Sequence, residues 1–531
     1  MPEELRVAIA AARRPVPCGR AQMLSFQRVS SSESTGTSGS STAGPTADAL
    51  RAHYRAALTA LANPTDEAAQ LEAAFQAVAR ADDAGVLEDA ARGVSLGLFL
   101  RLAAVDEADR RWPFRVIGRD FARRGEHRSL LHQLPRVRSN DDRRDLLEQH
   151  RLWGEAAEGR AAASPIRPAE RGPRSRLRVG LLSSDLRFNA VTAFAEPLIE
   201  HAGDNGAEVY CYSAQPGPPD RVQQQLAGVV AKFRHLPGAA PTEVAMAIAA
   251  DAPDVLVEIG GSTNANRVEA MAHRLAPVQI SWLGYPHSVG LSTIDYMLVD
   301  PHLSPADPSL IIERPLMMPR SWISLSPWFF RDDPFPAAEL PQDRRGFVTF
   351  GSAGSPYKYS AATLRGWAQV LAAVPNSRFL FVRPEGGSPT FRRNVAEHFA
   401  REGVASDRLE FAAVRGGHLP YYGDIDIALD TFPLTGGMTT CEALWMGVPV
   451  VTLAGPAVFE RLSHSILTNV GLGDLSTSST ERFVGRAVSL ADDRQRLLQW
   501  RSECRVAMRA SALGDPRQFA EDFYRAVAAL T

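Results

Sequence analysis

The chain has 531 residues, 45% of them apolar and 22% charged, with a formal net charge of −2. That length leaves room for roughly two to four domains with sizeable cores. The balance of charge supplies no basic excess for neutralising nucleic-acid phosphates, and no apolar run reaches membrane-spanning length. The start, MPEELRVAIAAARR, lacks the basic flank and apolar centre of a secretory leader. Cys18, Cys211, Cys441 and Cys504 show neither paired nor metal-ligand spacing. The expectation is a reduced, cytoplasmic, enzyme-sized protein with no metal site.

Residues 1–28 carry a short helix-like apolar segment, and 29–46 are a Ser/Thr/Gly run too polar to order itself. Together, 1–47 is expected to be a disordered N-terminus and linker, whose hydroxyls are also conceivable acceptors for the protein's own chemistry. Residues 48–163 are Ala/Leu/Arg-rich, with apolar positions at three- and four-residue steps, as in LRAHYRAALTALA; this predicts an α-helical domain. No regular repeat marks a solenoid. A basic, proline-containing joint follows at 164–176.

From Leu177 short apolar runs alternate with helical stretches: RVGLLSSD (178–185), EVYCYS (208–213), DVLVEIGG (254–261), VQISWLG (278–284) and DYMLVD (295–300). Helices are expected over 241–250 and 267–275. Continuous apolar strands separated by helices predict a parallel sheet covered on both faces. A Pro-rich connection, 301–345, leads to a second series: FVTFGS (347–352), RFLFVR (378–383), RLEFAA (408–413) and IDIALDTFPLTGGMTTCEALWMGVPVVTL (425–453). The fold class is therefore α/β. Two doubly wound domains, 177–335 and 340–531, face a cleft, and the terminal Arg/Ala/Leu-rich helices belong to the second. Ligand is expected at the carboxyl ends of the strands lining that cleft.

The stretch 425–453 organises the rest. A buried strand runs into a Pro/Gly loop ending at Gly437, and Met438, Thr439 and Thr440 open a helix. Glycine admits close approach of backbone N–H groups to an anion, and the helix start adds unpaired donors and a positive dipole end. Glu442, one turn in, is placed to accept hydrogen bonds from sugar hydroxyls. Two further loops follow parallel strands of the same sheet: one carries Ser355 and Lys358, the other Arg415 and His418. Of 58 basic side chains only Lys232 and Lys358 are lysine. A lysine retained against that bias marks Lys358 as a point charge that guanidinium does not replace. A lysine, donor-rich loops and a helix start together suit a diphosphate, whose developing charge on departure they would stabilise without a metal. Asp424 and Asp426 read as either a metal motif or structural residues beginning a strand, the latter favoured. His150 and His287 are candidate general bases, weighed against purely structural roles.

These segments resemble a known family. RLRVGLLSSDLRFNAVTAFAEPLIE, APVQISWLGYPHSVGLSTIDYMLVD and DTFPLTGGMTTCEALWMGVPVVTLAGPAVFERLSHSILTNVGL are similar to the bacterial SPINDLY-like branch of the protein O-GlcNAc transferases, glycosyltransferase family 41. The resemblance covers about 177–475, with a weaker echo in LLEQHRLWGEAAE. It implies a GT-B fold and metal-independent, inverting transfer from a nucleotide sugar, usually UDP-N-acetylglucosamine, to Ser or Thr of a protein acceptor, with no other cofactor. By position it implies that Lys358 neutralises the leaving diphosphate. His418 lies near the uracil with Arg415 before it, and Glu442 sits on the ribose. Gly437, Met438, Thr439 and Thr440 hold the phosphates, and His150 stands at the edge of the active site. Three departures stand out: Asn189 where the family usually has histidine, AGSPY (with Ser355) where Asn or Gln is usual, and Met438 where histidine or threonine is frequent. The N-terminal helices are too few for a long tetratricopeptide superhelix. The readings left open are a protein O-GlcNAc transferase, the same fold with another donor or acceptor (GDP-fucose, or Asn as acceptor), and a sugar-nucleotide-binding scaffold of reduced activity.

Overall fold

The computed structural model describes residues 46–61, 64–170, 172, 175–261, 265–330 and 339–531. The helix-like segment and nearly all of the Ser/Thr/Gly run expected before residue 47 lie outside them. Helices fill the first region, Ala47–Ala60 to Asn140–Ala163. Their starts carry the residues that satisfy orphan N–H groups: Thr46, Asp66 and Ser139 each accept from the amide three residues on.

Two parallel sheets follow. The first has β1 (Leu177–Leu182), β2 (Ala207–Ser213), β3 (Lys232–His235), β4 (Val255–Glu258), β5 (Val278–Ser281), β6 (Tyr296–Val299) and β7 (Arg314–Met317), in spatial order β3-β2-β1-β4-β5-β6-β7. The second has β8 (Thr349–Ser352), β9 (Arg378–Val382), β10 (Leu409–Ala412), β11 (Ile427–Leu429), β12 (Val450–Leu453) and β13 (Ser476–Thr477), in order β10-β9-β8-β11-β12-β13. In both, the chain winds outward from the first strand, then returns to build the other side. The order therefore reverses between β1 and β4 and again between β8 and β11, where crevices for nucleotides form in open α/β sheets.

Three expectations need correction. The edge strands β3 and β7 do not stand out in the sequence, since KFRH is half-exposed along its length and RPLM lies within the Pro-rich connection. An edge strand is not buried on both sides and carries no continuous apolar run. The helix expected at 267–275 is instead 3-10, Val268–His273. The last helix, Pro516–Ala528, does not stay with the second half. It packs on the helix Ala190–Glu200 of the first, with Tyr524 Oη donating to Leu198 O at 2.5 Å and Phe519 beside Trp282 at 5.9 Å between rings.

The core of the second half is aromatic. Trp367 stacks on Phe379 with centroids 4.9 Å apart, and Phe379 contacts Phe381 at 4.4 Å. Each such ring, fully buried, stabilises the sheet–helix contact by about 1.5–3 kcal/mol, giving the loops at the strand ends a rigid base. The helical region touches both halves. Its helix Arg92–Arg101 packs on the Pro356–Lys358 turn, and Glu72 accepts from Ser388 Oγ at 2.9 Å and Thr390 Oγ1 at 2.7 Å. Its long helix, Asn140–Ala163, lies against the 287–293 segment so closely that a Cβ on Gly154 would stand 1.9 Å from Gly290 O. Among the described residues no helix is long and apolar enough to cross a membrane.

Candidate functional site

At the β8/β11 reversal the sequence-predicted loops converge. Lys358 ends a 3-10 turn after β8, and its Nζ donates to Thr435 O, 2.9 Å away, in the loop following β11. The ammonium is half-buried. Loss of solvent pulls its pKa down to about 8, opposed by the Asp430 carboxylate and assisted by the Arg383 charge. It remains cationic at neutral pH, yet poorly solvated, and so gains from an arriving anion.

Asp430, the last residue before the loop, went unnoticed in the sequence. Its Oδ1 accepts from Thr431 N and Gly436 N, both at 2.9 Å, and its Oδ2 from Thr452 Oγ1 at 2.7 Å. This one carboxylate ties the loop's two ends together, sets its curvature and supplies a counter-charge beneath Lys358. An acidic residue closing an apolar strand directly before a Pro/Gly loop is the signal that could have marked it. Gly436 is required sterically, because a Cβ there would lie 2.4 Å from Thr440 Oγ1. Gly437 has nothing within 4 Å of its Cβ position, so the loop opens on that side. The helix Met438–Trp445 starts there with no side-chain cap, leaving its first amide hydrogens to the open side. Thr440 Oγ1 pairs with Ser463 Oγ at 2.7 Å, which anchors the helix from behind.

One turn along, buried Glu442 meets His418 across the crevice, Oε2 to Nε2 at 2.8 Å. The two residues expected at ribose and base are thus neighbours in one hydrogen-bonded pair. Tyr422 Oη donates to Thr439 O at 3.3 Å, tying the helix start to the segment after His418. Ser355 sits at the N-cap of the Lys358 turn, and its carbonyl receives Lys358 N at 2.9 Å.

Two expected residues are engaged elsewhere. Arg415 is an exposed side chain paired with Glu67 of the helical region, so it bridges domains at the rim rather than entering the pocket. His150 is fully buried, its Nδ1 2.7 Å from Leu146 O and its Nε2 2.6 Å from Tyr285 Oη. Burial pulls its pKa to about 4, and no ring nitrogen is left for an acceptor hydroxyl. It belongs to a packed aromatic cluster with His127 and His287, whose rings lie 5.5 and 4.7 Å from it. His287 is buried too, its pKa held well below the usual histidine value by burial and by its two histidine neighbours. Asp426 is structural: its carboxylate accepts from Gln342 N at 3.1 Å and Thr349 N at 2.8 Å. Lys232 is paired with Asp251 at 2.8 Å.

At the facing reversal point, β1/β4, the strand ends are acidic. Asp185, three residues past β1, accepts from Asn189 Nδ2 and Asn266 Nδ2, each at 3.2 Å. Asn189 also caps the next helix, its Oδ1 receiving Val191 N at 2.9 Å. Glu258 at the end of β4 accepts from Gly260 N at 2.8 Å, and burial raises its pKa to about 7. Neither carboxylate was singled out in the sequence, because each looks like an ordinary strand-terminal acid.

Two doubly wound parallel sheets, reversed at facing points and joined across a groove, define the GT-B class of nucleotide-sugar-binding folds. Residues 165–323 and 338–523 match the model of Glycosyl transferase family 41, and the chain belongs to that family. It is 33% identical over 350 residues to SPINDLY of Oryza sativa subsp. japonica, named a probable UDP-N-acetylglucosamine–peptide N-acetylglucosaminyltransferase. That match covers 65% of this chain and 37% of the relative. The Arabidopsis thaliana SPINDLY is 31% identical over 390 residues, 72% of this chain and 42% of its own length. The chain thus spans about two fifths of the length of these curated relatives. Among solved structures, an O-GlcNAc transferase mutant of Thermobaculum terrenum superposes with a TM-score of 0.65 at 26% identity, covering 91% of this chain and 98% of that one.

Proposed function

We propose that this chain is a metal-independent, inverting glycosyltransferase that moves a sugar, N-acetylglucosamine from UDP-N-acetylglucosamine in the first instance, to Ser or Thr hydroxyls of a protein acceptor. The observation that carries this reading is Lys358 Nζ at 2.9 Å from Thr435 O. It puts a partly desolvated cation directly over a loop that leads into an uncapped helix start. Charge accumulating on a departing diphosphate would meet an ammonium and several fixed N–H dipoles already in position, the arrangement that lowers such barriers most. These protein groups do the neutralising that a divalent cation does elsewhere, so neither metal nor cofactor is part of the proposal. Glu442 and His418 would receive the ribose and base. The names of the SPINDLY relatives support the choice of donor and of a peptide acceptor.

With both ring nitrogens of His150 committed, the acceptor's proton is assigned to the facing edge. Asp185 and Glu258, both buried, are the carboxylates at the β1/β4 reversal there, and Asp185 is taken as the base. The place of action in this reading is the cytoplasm. Asn189 favours a second reading, a binding protein of reduced activity, because its amide is committed to Asp185 and to a helix start. Hydrolysis of UDP-N-acetylglucosamine, UDP-glucose and GDP-fucose, followed by intact-mass analysis of co-expressed acceptors, tests the proposal. Sugar release and acceptor mass gain are expected with the first donor and in the presence of EDTA. Binding without turnover of any donor would favour the scaffold, and a strict need for divalent metal would overturn the chemistry.

A further inference from the structure

Beyond the donor loop, on the outer flank of the second sheet, a cavity of about 720 Å³ opens at the ends of β12 and β13. Arg461, Arg482 and Arg486 line it together with His464, Ser476 and Ser478. Against three guanidinium groups the lining holds one carboxylate, Asp474, which pairs with Arg486. Arg461 is fixed by neutral partners, donating to His302 O at 2.9 Å and Gly455 O at 3.2 Å. Asp300 and Glu460 lie near enough to offset part of its charge. Glu460 is paired with Arg143, whereas Asp300, bonded by the neutral Ser465 and Asn469, keeps its charge. With Asp474 it leaves the three guanidinium groups one positive charge in excess. Arg482 reaches Ser478 Oγ at 3.3 Å, and the buried Nε of Arg486 has no hydrogen-bond partner. The helix Thr480–Ala491, capped by Ser479 and with Glu481 in its first turn, supplies Arg482, Arg486 and Ser489 to the lining. His464, bonded to Ser476 Oγ at 2.9 Å, is kept neutral by burial and by the Arg461 charge, and adds polarity without charge.

The net positive charge calls for an anion, and the cavity is far larger than a single oxyanion. Besides His464 no ring lines it, whereas Ser476, Thr477, Ser478 and Ser489 bring hydroxyls to the lining, of which Thr477 donates to Thr452 O and Ser476 and Ser478 meet His464 and Arg482. Such walls hydrogen-bond a polyol and offer nothing for a base to stack on. The helix Leu462–Asn469 stands between this cavity and the donor loop: Ser463 Oγ bonds Thr440 Oγ1 at 2.7 Å and Gly436 O at 3.0 Å on the donor-loop side, while its neighbour His464 lines this cavity. We propose that it is a second ligand site, for a small phosphorylated sugar or polyol, distinct from the nucleotide pocket.

The test is calorimetric titration of the full chain with glucose 6-phosphate, inorganic phosphate and UMP, repeated on Arg482→Gln, Arg486→Gln and Lys358→Ala. Arg482 is exposed, so its replacement leaves the fold alone. The expected result is saturable binding of glucose 6-phosphate, tighter than inorganic phosphate and not displaced by UMP. Arg482→Gln and Arg486→Gln should each weaken it about tenfold, the effect of losing a charge-assisted hydrogen bond, and Lys358→Ala should leave it unchanged. No saturable binding, equal affinity in Arg482→Gln, displacement by UMP or loss in Lys358→Ala would each overturn the proposal.

Discussion

The two halves of the molecule share a strand order and differ in what stands at the reversal point. The first presents carboxylates, Asp185 and Glu258; the second presents Lys358, a glycine loop and an open helix start. Both halves also bury acids there: Asp430 shapes its own loop, while Asp185 accepts from the side-chain amides of Asn189 and Asn266 at 3.2 Å. One topology thus yields an electropositive wall at one reversal and a pair of buried acids at the other. The chemistry proposed above needs both: a cation where charge departs and a base where a proton is lost.

The strongest way to break that contrast is Lys358→Ala. Turnover should fall on the order of 10²–10³-fold, with an unchanged thermal transition, and unaltered donor hydrolysis would remove the electropositive wall from the mechanism. At the other reversal, Asp185→Asn should lower kcat about 10²-fold, within the usual range for losing a positioned base, while donor affinity by calorimetry stays constant. Equal loss of donor affinity would move Asp185 to the donor side. Glu442→Gln should raise the donor KM about tenfold with a smaller effect on kcat, as a charge-assisted contact to ribose is weakened.

The pH dependence sharpens the same contrast. Free Lys358 loses its proton near pH 8, so kcat/KM should decline above that pH as the ammonium becomes neutral. Because diphosphate favours the charged form, UDP binding at pH 8.5 should take up protons, visible as an observed enthalpy that varies with the buffer's ionisation heat. Buffer-independent heats would place the titration elsewhere. The smallest effect belongs to the rim. Arg415→Ala removes only the exposed partner of Glu67, which keeps Arg101, and should change stability by less than about 1 kcal/mol by denaturant melts.

Much of the second wall is legible in the residues alone. A glycine loop before a helix, a rare lysine after a strand and an acid one turn into the helix are local signals, and each obeys a local rule. The resemblance to family 41 extends that reading to the whole groove. What stays hidden depends on long-range packing. His150 sits in a segment that echoes an active-site edge, but the 287–293 segment packs against its helix, and Tyr285 takes its second nitrogen. Arg415 follows a strand as a ligand-binding residue would, yet Glu67, 348 residues away in sequence, holds it at the surface. Asp185 and Glu258 carry no motif of their own. Only the reversal of strand order, a property of the folded sheet, gives them their place.

The returning terminal helix has a mechanical consequence. The polypeptide passes between the two halves twice, and the passages touch: Leu325 N and Ser324 Oγ both donate to Leu513 O, at 2.9 and 3.0 Å. The same two halves are also tied by Arg461, which donates to His302 O at 2.9 Å, and by Asn469, bonded to Asp300 at 3.2 Å. A chain cut short after residue 510 would lose the wall sheltering Leu198 and Trp282 together with the Leu513 contact, so its loss should show first as a lowered thermal transition.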